Sequence, residues 1–151
     1  MQKIAEIGNL LKKTYRSYSN DLIILLQERG YLDLRASFLE ILIYVSENES
    51  SSIKAIGEAC GLKKQTMTSH LNELEGRGYI YRKPSEKDRR ELQVNLTEYG
   101  QKFKLTLLDV TSILENKYVE SIGEVEMERV ASVLQNFFEN TRDKTAQTKL
   151  L

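Results

Sequence analysis

The stretch "KKQTMTSHLNELEGRGYIYRKPSEKDRRELQVNLTEYG", residues 63–100, decides the fold. Met67, Leu71 and Leu74 recur at four- and three-residue spacing, which predicts a helix over about 63–77 with one apolar side, closed by Gly78. Two strand-like runs follow, Tyr79 to Lys83 and Glu91 to Leu96, separated by a tip that carries no apolar residue; of the nine residues from Arg82 to Arg90, seven are charged. They read as a hairpin over about 79–96. Within it Leu92, Val94 and Leu96 are expected to point inward, with Gln93 and Asn95 facing water, so that one side of the ribbon packs on the domain.

Immediately upstream, Ser52 offers an N-cap for a short helix that carries Ile53 and Ile56 and ends at Gly61, where a left-handed residue is expected. Only two or three residues separate it from the helix at 63. Two helices joined by a tight glycine turn, the second polar and basic outside, form a helix-turn-helix. With the hairpin behind it this is a winged helix. The outer face of the second helix is placed to reach base edges in the major groove, while a flexible, charged wing tip reaches phosphates or the minor groove beside it.

The rest of the chain reads as helices around this lobe. Ile4, Ile7, Leu11, Tyr18, Leu22 and Leu25 form one stripe, widened by Leu10, Tyr15 and Leu26, along a first helix of roughly 25 residues that Gly30 ends. So long a stripe needs more partner surface than a small domain offers, which points to a second chain. Asp33 is expected to cap a second helix burying Phe38, Leu39, Ile41, Leu42 and Val45, and "SENESSS" then reads as a connector. Thr97 caps a long helix with Tyr99, Phe103, Leu107, Val110 and Leu114 on one face. Gly123 separates it from a last helix with Val130, Val133, Leu134, Phe137 and Phe138, and the tail "DKTAQTKLL" is expected to fray. The fold class is therefore mainly α, with a small β-hairpin wing.

The totals agree with this and narrow the function. A single proline and 29% charged residues fit long helices, and 151 residues fit one compact domain. Net charge is zero, but nine Lys/Arg against five Asp/Glu fall in residues 53–90, so the positive charge is concentrated on the helix-turn-helix and wing. Cys60 is the lone cysteine, the opening is unlike a secretory signal, and the longest apolar runs are too short to span a bilayer, so a soluble, cytoplasmic protein without a membrane role is expected. One histidine, one cysteine and no clustered carboxylates offer no metal site, and no cofactor motif is present. Without a glycine-rich phosphate loop or a nucleophile beside a base, an enzyme is the weakest reading.

The run from Ile56 to Gly100 resembles the DNA-binding region of MarR-type transcriptional regulators. The match is carried by the helix exit L-E-x-x-G-[aromatic or aliphatic]-I at Leu74 to Ile80, and by the D-x-R wing at Asp88 and Arg90 followed by L-T-x-x-G at Leu96 to Gly100. The resemblance implies a winged helix lobe, 33–96, on an all-helical dimerisation scaffold, 1–32 and 97–146. First and last helices of two chains would interleave to hold the lobes about one DNA turn apart over a pseudo-palindromic operator, most often as a repressor. It implies that Gln65, Thr66, Thr68 and Ser69 face bases or phosphates. Arg90 would enter the minor groove, Asp88 would hold it, and Lys87 and Arg89 would meet phosphates. The chain departs from the family at Lys63 and Lys64, where a serine is common. Lysines oppose the helix dipole and forgo a cap of about 1 kcal/mol, a choice that bound phosphates would reverse.

Three features carry competing readings. Cys60 is either an oxidant-sensing thiol, as in some family members, or a small packed hydrophobe before the turn glycine, and the packed reading is preferred. His70, beside the inward Leu71, contacts DNA, lines a cleft or fills space, and filling space is preferred. Tyr15, Tyr18 and Tyr44 are placed for the cleft in which family regulators take small aromatic or phenolic effectors, although tyrosine at helical spacing is more often core. A winged helix can also serve as a protein-interaction module docking an acidic partner; Arg90, Asp88 and the polar helix face together favour duplex DNA.

Overall fold

The computed structural model describes residues 2–142. The tail expected to fray and residues 143–146 of the expected scaffold lie outside the described residues. The chain forms two compact units that divide between Thr111 and Ser112.

The first unit opens with α1, Lys3–Glu28, which Gly30 ends at φ 94°. Only the C-terminal half of its stripe is covered, by way of Leu22 and Leu26, while Ile4, Leu10 and Leu11 stay exposed. α2, Ala36–Glu47, buries Phe38, Leu39, Ile41, Leu42 and Val45 as its pattern requires. Its N-cap is Arg35, without a side-chain cap, and Asp33 is not used there. The Asp33 carboxylate instead accepts the phenol of fully buried Tyr79 at 2.8 Å, and its carbonyl accepts from Arg77. A buried hydroxyl needs an acceptor more than an exposed helix end needs a cap.

The expected connector is not all loop. Ser51–Ser52 form a two-residue strand, β1, too short to show any periodicity in the sequence. Then follow α3, Ile53–Cys60, and α4, Lys64–Gly76. Ser52 caps α3, its hydroxyl accepting the Ala55 amide at 3.1 Å, and Gly61 takes the left-handed conformation at φ 65°. β2, Ile80–Pro84, and β3, Leu92–Leu96, form the hairpin, with Ile80 opposite Leu96 and Pro84 opposite Leu92. All pairs are antiparallel in the order β1-β3-β2, so β2 is an edge.

The expected alternation in β3 does not hold, because its inner end is buried on both sides and its outer end on neither. Val94 and Leu96 are buried, but Leu92 is 39% exposed and Asn95 only 7%. Leu92 lies at the tip end of the ribbon, opposite Pro84. Asn95 is drawn in near β1, where its side-chain oxygen accepts the Ser50 hydroxyl at 2.8 Å.

Thr97 caps α5, Glu98–Ile122, by accepting the Gly100 amide at 3.0 Å. Phe103, Leu107 and Val110 are buried as expected, whereas Tyr99 is 43% exposed, with one side of its ring 5.0 Å from Tyr79 and 5.9 Å from Tyr31, centroid to centroid. The second unit continues α5 and adds α6, Glu124–Asn140, after Gly123; α6 has no buried residue, and Val130, Val133, Leu134 and Phe138 are exposed. Among the described residues no helix is long and apolar enough to cross a membrane.

Candidate nucleic-acid interface

The helix-turn-helix is held close by one glycine. A Cβ on Gly57 of α3 would sit 3.3 Å from the Leu62 carbonyl oxygen and 3.3 Å from Met67, so the two helices approach where no side chain intervenes. Met67, Leu71 and Leu74 are buried, which turns the opposite face of α4 outward. That face is open to solvent and presents Lys64, Gln65, Thr68, Ser69 and Asn72. Lys63 and Thr66 are exposed beside it. The Thr68 hydroxyl donates to the Lys64 carbonyl at 3.0 Å, leaving its oxygen free to accept. Lys63 is the N-cap and supplies no side-chain acceptor to the first-turn amides of α4.

The wing tip is a hydrogen-bonded turn. Buried Ser85 donates its amide to the Glu91 carbonyl at 2.8 Å, and its hydroxyl accepts the Lys87 amide at 3.2 Å. Asp88 closes the other side, accepting the Arg90 amide at 3.1 Å, while its carbonyl accepts the Glu91 amide at 2.9 Å. The same carboxylate takes Arg90 Nε at 3.1 Å and Nη2 at 3.4 Å. The Arg90 guanidinium beside it holds the Asp88 carboxyl below its usual range. Arg90 itself is 92% exposed, with Lys87 and Arg89 exposed on the same turn, so three cations stand at the tip.

His70 points the other way. Its ring meets Phe38 edge-on at 5.0 Å, its Nδ1 is buried without a partner, and burial, then the Arg35 charge, push its pKa down. A neutral space-filling imidazole fits this environment. The guanidinium groups of Arg35 and Arg77 lie over the same Phe38 ring at 4.3 and 5.0 Å.

A winged helix with this polar helix face and this wing matches known proteins along most of its length. The family model of the MarR family matches residues 39–91. The HTH-type transcriptional regulator SarZ of Staphylococcus epidermidis is 33% identical over 107 residues, 71% of each chain. This chain belongs to the MarR family. Solved structures show the same fold: a mutant MarR from E. coli complexed with operator DNA aligns at TM-score 0.77 and 18% identity, over 89% of this chain and 95% of that one. FabT of Streptococcus pneumoniae in complex with DNA aligns at TM-score 0.74 and 20% identity, over 92% and 97%. As a MarR-family transcriptional regulator, the protein is not an enzyme.

In this MarR-family lobe three residues beside the candidate interface escaped the sequence reading. Asn72 shares the outer face of α4 with Thr68 and Ser69, a place that four- and three-residue spacing could have supplied. Glu75 and Arg82 had no such signal, since they meet across the helix-to-strand junction: Glu75 accepts the Arg82 amide at 3.0 Å and its Nη2 at 3.0 Å.

Of the candidate cleft residues, Tyr15 and Tyr18 lie together on α1, with Tyr15 reaching α2. Tyr15 hydrogen-bonds Glu40, burial and that carboxylate pushing its hydroxyl up to about 12, and its ring lies 6.3 Å from Tyr18. Tyr44 is half-buried one turn beyond Glu40, and its carbonyl accepts from Asn48. Cys60 is half-buried, and burial pushes its thiol up, away from a reactive thiolate.

Proposed function

We propose that this MarR-family regulator binds duplex DNA as a cytoplasmic homodimer on a pseudo-palindromic operator and represses a promoter there. The observation that carries the reading is the joint presentation, on one lobe, of the Lys63 to Ser69 face of α4 and of Arg90 held out by Asp88 on the wing. Helix N-terminus and lysines suit phosphates, Gln65, Thr68 and Ser69 suit base edges, and an exposed arginine suits the narrow minor groove. Two neighbours in fold, the E. coli MarR mutant and FabT, are named as complexes with DNA. Docking of an acidic protein partner is the weaker reading, because the outward face of α4 carries no large apolar anchor.

Dimerisation through the first and last helices is supported by the uncovered apolar residues of both: Ile4, Leu10 and Leu11 on α1, Val130, Val133, Leu134 and Phe138 on α6. In this reading residues 33–96 are the DNA-binding lobe and 1–32 with 97–146 the scaffold. A small aromatic or phenolic effector among Tyr15, Tyr18 and Tyr44 would alter the spacing of the two recognition helices and so release DNA.

The test is selection of bound duplexes from a random pool at near-physiological salt, with Arg90→Ala alongside. The expected result is an inverted repeat with half-sites about ten base pairs apart, bound about 1–3 kcal/mol more weakly by the mutant. A folded dimer that enriches no sequence refutes the proposal.

A further inference from the structure

The Arg82 side chain makes three hydrogen bonds, all to α4, and does not face the candidate interface as a free cation. Its Nη2 donates to Asn72 Oδ1 at 2.8 Å and to Glu75 Oε2 at 3.0 Å, and its Nε lies 3.4 Å from Glu75 Oε1. Its side chain is 18% exposed. The backbone amide of the same residue donates to Glu75 Oε1 at 3.0 Å. β2 is the edge of the sheet, so that amide sits on the side with no neighbouring strand, and Glu75 stands in for one. One carboxylate on α4 thus grips both the main chain and the side chain of the strand that leads to the wing tip. Asn72, on the outer face of α4, ties the same guanidinium to the recognition surface. A guanidinium donates from every nitrogen, so only the amide oxygen of Asn72 can meet it.

We propose that Glu75, Arg82 and Asn72 form a bracket that locks the wing to the recognition helix, so that α4 and Arg90 meet DNA as one rigid element. Arg82 is a positioning residue rather than a DNA contact, and Glu75, an acid beside a surface meant for phosphates, strengthens binding in spite of its charge. Without the bracket the base of the hairpin is still held by buried Ile80, Val94 and Leu96, but its outer half loses its tie to α4, and Arg90 must be ordered anew at each binding event, which weakens affinity by lost preorganisation. The inference rests on the DNA-binding reading for its effect on affinity, but not for its effect on the wing.

The two parts are measured separately. In a Cys60→Ala background, spin labels at Gln65→Cys and Lys87→Cys report the helix-to-tip distance in the free protein, diluted with unlabelled chain so that one labelled copy is seen. A narrow distribution is expected, broadened by Glu75→Gln and by Arg82→Lys, which keeps the charge but loses the planar fork. An unchanged distribution in both variants overturns the bracket. On the selected duplex, both variants are expected to bind about tenfold more weakly, a middling coupling for side chains of one network. The salt slope stays unchanged, and most of the loss disappears when Arg90→Ala is already present. Simple electrostatics predicts the opposite sign for Glu75→Gln, so tighter or equal binding by that variant overturns the inference. A loss that adds fully to that of Arg90→Ala overturns action through the wing. If the wild type selects no duplex while the distance distribution still broadens, the DNA-binding proposal fails and the bracket stands as a device of the fold.

Discussion

Gly100→Ala is expected to destabilise the protein although the position lies in a helix, where alanine is ordinarily the better residue. A Cβ at Gly100 would fall 2.1 Å from the Tyr79 carbonyl oxygen and 3.1 Å from both Cβ and Cδ2 of Leu96. The carbonyl has little freedom to move. It accepts the Thr97 amide at 3.1 Å, and the Tyr79 side chain is fully buried with its phenol on Asp33. The first turn of α5 and the start of the hairpin must therefore separate by more than an ångström. Overpacking of this kind costs about 3 kcal/mol, and the helix preference for alanine offsets about 1, leaving about 2 kcal/mol of destabilisation. With a urea dependence of about 2 kcal/mol per molar, the unfolding midpoint drops by about 1 M. The assay is urea unfolding followed by circular dichroism at one fixed protein concentration, because association would add to apparent stability. Gly76→Ala is the control. No atom lies within 4 Å of its Cβ position and its φ is not positive, so it is expected to gain about 0.4–1 kcal/mol. A Gly100→Ala midpoint at or above the wild type, with Gly76→Ala behaving as stated, refutes the close-approach argument.

Two further outcomes follow from charge. If Lys63, Lys64, Lys87 and Arg89 of each lobe meet phosphates, log affinity for the selected duplex falls against log salt with a slope of about −7 in a dimer, and Lys63→Ala with Lys64→Ala roughly halves it; a flat profile contradicts phosphate anchoring. Glu75 is held below the ordinary glutamate range by its hydrogen bonds from Arg82, burial acting against them. The carboxylate form is thus favoured by folding, and its stabilisation is complete above the unfolded pKa and lost as pH falls through the lower folded one. The urea midpoint difference between wild type and Glu75→Gln is expected to hold steady from neutral pH to about pH 5 and to shrink below that. A difference that grows in acid would assign the Arg82 interaction to another partner.

Much of the architecture was legible because it is decided by neighbours a few residues apart. Met67, Leu71 and Leu74 share a face through the helical repeat alone. Ser52 and Thr97 reach amides three residues ahead, and Gly61, Gly78 and Gly123 adopt the positive φ that ends an element. Asp88 and Arg90 are two residues apart and pair across one turn. The residues of the candidate interface were named from the same local patterns and their roles from family resemblance, since nothing local distinguishes a wing from any solvated charged tip.

Tertiary structure decided whatever depends on elements meeting. Asp33 has the chemistry of a cap and became the acceptor for Tyr79, a partner 46 residues away. Ser51 and Ser52 have no strand signal and pair because β3 offers an open edge beside them. Leu92 and Asn95 exchange expected places because burial follows where the lobe lies beneath the ribbon, not the alternation itself. Gly100 is required by a carbonyl on another element, and Glu75 finds Arg82 only once α4 turns back into β2. A sequence determines which groups must be buried, capped or paired, through spacing and chemistry within a turn or two. Which group meets which across the fold is settled only when the packed helices and strands bring their backbones together.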